Sequence, residues 1–389
     1  MINTIKATVA DEFERAVRNR RYFHQNPRLS FCEEDTAAYI RGQLDAAGIP
    51  YTRCGKNGIV ARIRGAAPGP TIAFRADFDA LAIEEPEGLP FVSQNPGVMH
   101  ACGHDAHAAS VLSLALIFQQ HPEWIRGEVV FLFQYAEELP PGGAEAMIAA
   151  GCLQGVDRIY GLHVTDKLDV GTAGICRGAS MAASDSFFVE FLGKGGHGSC
   201  PSETQDTVSA AASAVLQING IISRFISPLR SAVISVCVIK GGQSYNVIPG
   251  KVRLEGTVRT YEKETADRIS GLLKKTVENA AAQYGTDWNF EFERGYPVLV
   301  NHPREEVLAE EAAAALSIPF RRMDPTPIGE DFARYLEKIP GAFFNVGIRN
   351  PAIDAVYPLH NRFFKLDEEA LKVALSMFLG IYMKETMQL

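Results

Sequence analysis

Cys102 and His104 stand two apart around a glycine in the segment MHACGHDAH, residues 99–107. A tight glycine-containing turn lets a thiolate and an imidazole reach one ion, and that donor mixture suits zinc and other borderline divalent cations. Acids and further imidazoles collect at comparable points of the chain. Asp77 and Asp79 follow one apolar run, Glu137 and Glu138 another, His163 closes a third, and His360 lies in a late loop. A lone buried cysteine is usually a small core hydrophobe, and lone histidines such as His24, His121 or His302 are usually surface or structural. His100 and His107 read best as holding the turn. The coincidence of thiol, imidazoles and carboxylates at the ends of apolar runs is what points to a metal centre. Glu137 and Glu138 also have the form that metal-assisted hydrolysis requires. One carboxylate anchors the ion, and its neighbour takes a proton from the activated water and passes it to a leaving amine. A solvated acidic pair is the plain alternative; the buried run before it and PPGGAEAMIAAG after it, a turn into a helix, favour the site.

The glycine-rich segment GKGGHGSCP, residues 193–201, exposes His197 on a tightly turning backbone. It lacks the GK[ST] ending of a phosphate loop, which counts against a nucleotide-dependent enzyme. Asn246 in NVIP and Arg259 in GTVRT are candidates for holding a carbonyl or carboxylate oxygen. The planar guanidinium fork matches a carboxylate, and a surface ion pair is the plain alternative for Arg259. A cysteine hydrolase, with Cys102 as nucleophile and His104 as base, is a competing reading, because residues two apart can approach each other.

Bringing these residues together is the task of the surrounding elements. Periodicity predicts helices over 11–26, ended by Pro27, and over 34–47, with Gly48 a suitable C-cap. Apolar runs at 58–63, 71–75, 128–135 and 158–164 read as strands covered on both faces. A helix over 106–120, with Asp105 as N-cap, lies between the second and third. Such alternation implies an α/β layer fold, whose ligand sites gather at the carboxyl ends of parallel strands. The rhythm changes near Ser184. Strand 185–192, helix 204–225, strands 231–240 and 252–260, helix 262–284 and strand 288–293 give the ferredoxin-like order β-α-β-β-α-β. Helix 305–316, strand 342–348 and a final helix from 367 resume the α/β pattern. The simplest reading is a discontinuous α/β domain, 1–182 and 295–389, with a small α+β domain, 183–294, inserted into it.

Composition bounds the partners. A length of 389 residues suggests two domains. A net charge of -8 offers no electrostatic footprint for nucleic acid. The longest apolar runs fall far short of a membrane span, and the N-terminal stretch carries acids and no apolar core of a signal peptide. Seven cysteines, scattered and without a C-x-x-C pair, argue against a disulfide framework and for a reducing cytoplasm.

RADFDAL, MHACGHDAH, QYAEE, GLHV, GKGGHGSCP, NVIP, GTVRT, GEDF and PLH occur in this order across almost the whole chain. Together they resemble the aminoacylase-like dinuclear metallopeptidases: N-acyl-amino-acid amidohydrolases, hippurate hydrolases and plant hydrolases of indole-acetyl amino acids. The resemblance implies a zinc-peptidase-like catalytic domain, with a mixed, mostly parallel sheet flanked by helices, and an inserted ferredoxin-like dimerisation or lid domain. It implies two divalent metal ions (zinc, manganese, cobalt or nickel) held by Cys102, His104, Glu138, His163 and His360. It makes Glu137 the general base and acid acting on a metal-bound hydroxide, and His197 a stabiliser of the oxyanion, contributed across a dimer interface. Asn246 and Arg259 would hold the substrate, and Asp79 would orient ligands. The implied activity is amide hydrolysis of N-acetyl, N-benzoyl or indole-acetyl amino acids by a cytoplasmic homodimer, with a dipeptidase or a deacetylase of an amino-acid intermediate as the alternative. A binding protein on the same fold would have lost a ligand or Glu137, and all are present. The chain departs from the family pattern at Phe78, Ala82 and Tyr135, none of them a candidate ligand; Tyr135, beside the base, bears on the shape of the acyl pocket.

Overall fold

Strands made of continuous apolar residues need cover on both faces, and the chain supplies it. In a computed structural model, which describes residues 1–88 and 90–389, these strands form one eight-stranded sheet. Its order is Tyr51–Cys54, Gly58–Arg64, Arg126–Gln134, Ala67–Asp77, Arg158–Asp169, Gly341–Arg349, Ala173–Ile175 and Phe320–Arg322. Ala67–Asp77 runs parallel to both its neighbours, and Gly341–Arg349 runs parallel to Arg158–Asp169. Antiparallel pairs lie on either side of this block, and the outermost pair, Ala173–Ile175 with Phe320–Arg322, is parallel again. The central strands bury Ile72, Ala73, Phe74 and the run 129–133 completely. Helices His104–Gln120 and Ala370–Glu385 pack against them. His104–Gln120 has almost no exposed residue before its last two, as befits a helix enclosed on all sides.

The chain divides into two compact units: Met1–Gly178 with Val300–Asp324 and Asp331–Leu389, and Ala179–Leu299 with Pro325–Glu330. In the first, Glu34–Ala47 ends at left-handed Gly48 (φ 67°), as its sequence predicts. Three expectations are corrected. The first helix begins at Ile2, not residue 11, because Ile5 and Val9 extend its buried stripe. Asp105 is not an N-cap. Left-handed Gly103 (φ 86°) holds that position, so the helix starts at His104 and Asp105 lies buried in its first turn. Its carboxylate accepts from Arg20 Nε at 2.7 Å and His24 Nδ1 at 2.8 Å. His163 does not end its strand, which runs on to Asp169. Pairing with Ala67–Asp77 stops at Gly161, however, so the chain is released on that side just before His163.

The second unit is built on an antiparallel sheet in the order Ala232–Gly241, Lys251–Thr260, Ala183–Leu192, Asp287–Glu293. Placing the first and third strands at the centre is the ferredoxin-like solution of β-α-β-β-α-β. Ala183–Leu192 alternates buried and half-buried residues along its whole length. Phe187, Val189 and Phe191 thereby meet Leu254, Ile269, Leu273 and Val277 in one core. Gly256 is required there: a Cβ would lie 2.2 Å from the Phe187 ring. The helix expected over 204–225 is two helices, Thr207–Ile218 and Ile221–Phe225. The Asp206 side chain caps the first by accepting from Val208 and Ser209 N–H, and Asn219 and Gly220 break the run. A short antiparallel pair, Gly196–His197 with Val247–Ile248, completes the unit. Among the described residues no helix is long and apolar enough to cross a membrane.

Candidate metal centre

The rim of the large sheet gathers Cys102, His104, Glu138, His163 and His360. Donor atoms of Cys102, His104 and His163 lie within 4.8 Å of one another, and so do those of Cys102, Glu138 and His360. Cys102 Sγ is 3.4 Å from His163 Nε2 and 3.3 Å from His360 Nε2. Glu138 Oε1 is 3.3 Å from His360 Nε2 and 3.8 Å from His104 Nε2. The loop bearing His360 is tied to the cysteine turn by its own N–H, which donates to Ala101 O at 2.8 Å. Glu137, nearly buried, shares a 4.8 Å cluster with His104 and Glu138.

Hydrogen bonds set the tautomers. His104 Nδ1 donates to Asp79 O at 3.0 Å, and His163 Nδ1 donates to Val164 O at 2.6 Å. A carbonyl only accepts, so in each neutral ring Nδ1 carries the proton and the Nε2 lone pair faces the cluster. His104 Nε2 and Glu138 Oε1 are buried without a hydrogen-bond partner. Leaving such groups unsatisfied costs about 1–3 kcal/mol each, and a cation would satisfy both. Electrostatics agree. Burial opposes charging His104, yet Asp77, Asp79 and Glu138 override it and hold the ring at about 10. Burial, with Glu138 and Glu137, pushes the Cys102 thiol well above its ordinary range. Both shifts express an excess of negative charge that a divalent cation offsets. The residues fit a metal site by their own chemistry.

The competing cysteine hydrolase fails on the same geometry. The hydrogen-bonding neighbours of Cys102 Sγ are His163 and His360, not His104, and a nucleophilic thiol needs a lowered pKa, not a raised one.

Around the donors lies a buried frame. Asp77 accepts from His107 Nδ1 at 2.6 Å and from Arg75 Nη1 at 2.5 Å. His107 Nε2 accepts from Val164 N at 3.0 Å, so both ring nitrogens are engaged and His107 braces the turn. Arg75 also reaches Asp331 at 2.7 Å and Gln134 Oε1 at 2.9 Å. Asp79 links His104 to the glutamate loop: its Oδ2 accepts from Glu138 N at 3.0 Å and from Ser30 Oγ at 2.7 Å. Sequence reasoning missed Arg75, Gln134 and Asp331 although their motifs were in view, because a pairing across 256 residues leaves no local signal.

In the second unit His197 and Asn246 are neighbours. Val247 pairs with His197, and Gly198 N donates to Asn246 O at 2.8 Å. Ser199 N donates to His197 Nδ1 at 3.1 Å, leaving Nε2 as the N–H donor of the neutral ring. Asn246 Oδ1 accepts from Ser244 Oγ at 2.6 Å, leaving its amide N–H groups outward as donors. Arg259, half-buried, donates to Val258 O at 3.0 Å, to Asp185 O at 3.4 Å and to the Thr257 hydroxyl. Among the described residues no carboxylate forms an ion pair with it.

Comparison with known proteins extends these observations. The profile of Peptidase family M20/M25/M40 matches residues 73–384. The chain is 39% identical over 381 residues to N-acetylcysteine deacetylase of Bacillus subtilis (strain 168), covering 96% of this chain and 98% of that one. It is 43% identical over 284 residues to N-acyl-L-amino acid amidohydrolase of Geobacillus stearothermophilus, covering 73% and 77%. A solved Bacillus subtilis structure, described as a dinuclear metal binding peptidase from the M20 family, superposes with a TM-score of 0.86 at 36% identity, covering 98% of this chain and all of that one. On donor geometry, fold and sequence together, the chain belongs to Peptidase family M20/M25/M40, and it is a metal-dependent hydrolase acting on amides.

Proposed function

We propose that the chain cleaves the amide bond of N-acyl amino acids, with Cys102, His104, Glu138, His163 and His360 holding two divalent cations. The observation that carries this reading is the convergence of five donor side chains, two of whose atoms, His104 Nε2 and Glu138 Oε1, are buried without a hydrogen-bond partner. Cations bound there polarise an acyl carbonyl and lower the pKa of water. Glu137 accepts the proton of the attacking water on a carboxylate oxygen and delivers it to the leaving amine nitrogen. His197, its Nδ1 engaged by Ser199, offers Nε2–H to the acyl oxygen as negative charge develops, a contribution of about 2.7–4 kcal/mol for donors of this kind. Asn246 binds an oxygen of the substrate through its free amide N–H groups, and Arg259 takes the substrate carboxylate. The thiolate, imidazole and carboxylate set favours zinc, with manganese, cobalt or nickel as functional substitutes.

The same reading includes a homodimer and a reducing cytoplasm. The edge strand Ala232–Gly241 leaves Ile239 and Val233 exposed, and helix Thr207–Ile218 leaves Leu216 and Val208 exposed. An open apolar strand edge favours pairing with another chain. All seven cysteines are free thiols.

Metal-stripped protein, assayed with and without zinc or manganese on N-acetyl, N-benzoyl and indole-acetyl amino acids and on dipeptides, tests the reading. Metal-dependent release of free amino acid supports it, and preference for dipeptides replaces it with a dipeptidase. Glu137→Ala is expected to lower kcat by about 10²–10⁴-fold while bound metal stays near the wild-type level; loss of metal in parallel with activity would reassign Glu137 as a ligand.

A further inference from the structure

The turn that carries Glu137 and Glu138 begins with a conformation that its sequence does not favour. Ala136 is fully buried and left-handed, with φ 53°, a region that costs a residue with a Cβ about 1–2 kcal/mol. Three hydrogen bonds hold the turn. Gly143 N donates to Ala136 O at 3.0 Å, Glu138 N to Asp79 Oδ2 at 3.0 Å, and Ala136 N to Glu33 Oε1 at 2.8 Å. The last acceptor comes from 103 residues earlier in the chain. The same oxygen accepts from Phe31 N at 2.9 Å, and Phe31 is a second left-handed residue without being glycine (φ 65°). Glu33 Oε2 accepts from Asn57 Nδ2 at 2.7 Å. Glu33 is itself completely buried. One carboxylate thus spans two strained turns and is anchored by a third segment.

We propose that Glu33 is a positioning residue for the hydrolysis, clamping the Ala136 backbone in its left-handed conformation and so setting the direction of the Glu137 carboxylate. The inference rests on the assignment of Glu137 as the proton carrier. The clamp acts through an acceptor oxygen rather than through charge. In Glu33→Gln the amide oxygen still accepts from Phe31 and Ala136, and the Asn57 amide can turn over to meet the new N–H₂. In Glu33→Ala the Ala136 N–H is buried with no acceptor, and the turn is left with only two of its three hydrogen bonds to oppose relaxation. Displacement of a reacting group by about 1 Å can cost about 10²-fold in rate.

The test compares Glu33→Ala, Glu33→Gln, Ile40→Ala and Glu137→Ala in metal-loaded enzyme, with kcat expressed per bound metal, KM and thermal midpoint. Ile40 is fully buried in the helix that follows Glu33; its truncation lowers stability without removing a bond to the turn. The expected result is a kcat about 10–100-fold lower in Glu33→Ala with KM within about threefold, near-wild-type kcat in Glu33→Gln, and near-wild-type kcat in Ile40→Ala at a temperature where all are folded. A kcat in Glu33→Ala no lower than in Ile40→Ala overturns the clamp, as does equal damage in Glu33→Gln and Glu33→Ala. Full turnover by Glu137→Ala would overturn the assignment of Glu137 itself, whereas an inactive Glu137→Ala beside a fully active Glu33→Ala removes the clamp alone.

Discussion

Glu33 also shows how one residue's burial writes itself into pH dependence. Burial pushes its carboxyl up to about 7 from an ordinary 4.5, with the Asp79 carboxylate adding to the shift and the Asn57 amide opposing it. Between those values the folded protein keeps a proton that the unfolded chain releases, so the stability linked to this group is fully present below about pH 4.5 and is lost as pH rises through 7. Denaturant titrations of the wild type and Glu33→Gln from pH 4.5 to 8 are therefore expected to diverge. The wild type loses stability relative to the variant as pH rises, and parallel curves would show that Glu33 titrates as an ordinary carboxyl.

At the scale of elements, charge ties the strand Ala67–Asp77 to a distant turn of the chain. Arg75 sits completely buried in Ala67–Asp77 and pairs with Asp77 in its own strand and with Asp331 far along the chain. Burial works against the Asp77 carboxylate, but Arg75, His104 and His107 hold it well below the usual carboxylate range. Removing one member of a buried ionic group strands the rest, at about 3–5 kcal/mol. Arg75→Met is expected to lower the free energy of unfolding by that amount in urea melts, and a loss below about 1 kcal/mol, the range of an exposed pair, would mean that the frame relaxes around the gap.

For the whole molecule, the question is what covers the open edge of the second unit. Ile239 is 60% exposed on the edge strand and Leu216 is 75% exposed on the helix beside it. Under the homodimer reading, a charge placed there opposes association. Ile239→Glu and Leu216→Glu are each expected to convert a dimer to a monomer in light scattering coupled to gel filtration, with the fold of each unit intact by circular dichroism. A wild type that elutes as a monomer at micromolar concentration removes the dimer, and variants that stay dimeric move the interface elsewhere.

The sequence by itself determined the class of chemistry and the order of elements. Donor types at Cys102, His104, Glu138, His163 and His360 are local facts, and so are the strand read over 185–192 and the apolar run 128–135. Local facts survive any error in element boundaries, which is why a late start to the first helix and a misplaced cap at Asp105 left the donor list intact. Tertiary structure decided what each donor's second atom does. It fixed the tautomers of His104 and His163 through Asp79 O and Val164 O, engaged both nitrogens of His107 in bracing the turn, and left His104 Nε2 and Glu138 Oε1 without partners. It also brought Glu33 to Ala136 and Arg75 to Asp331. Hydrogen bonds of that reach depend on where sheet packing puts two distant segments, and no spacing within either segment encodes the distance between them.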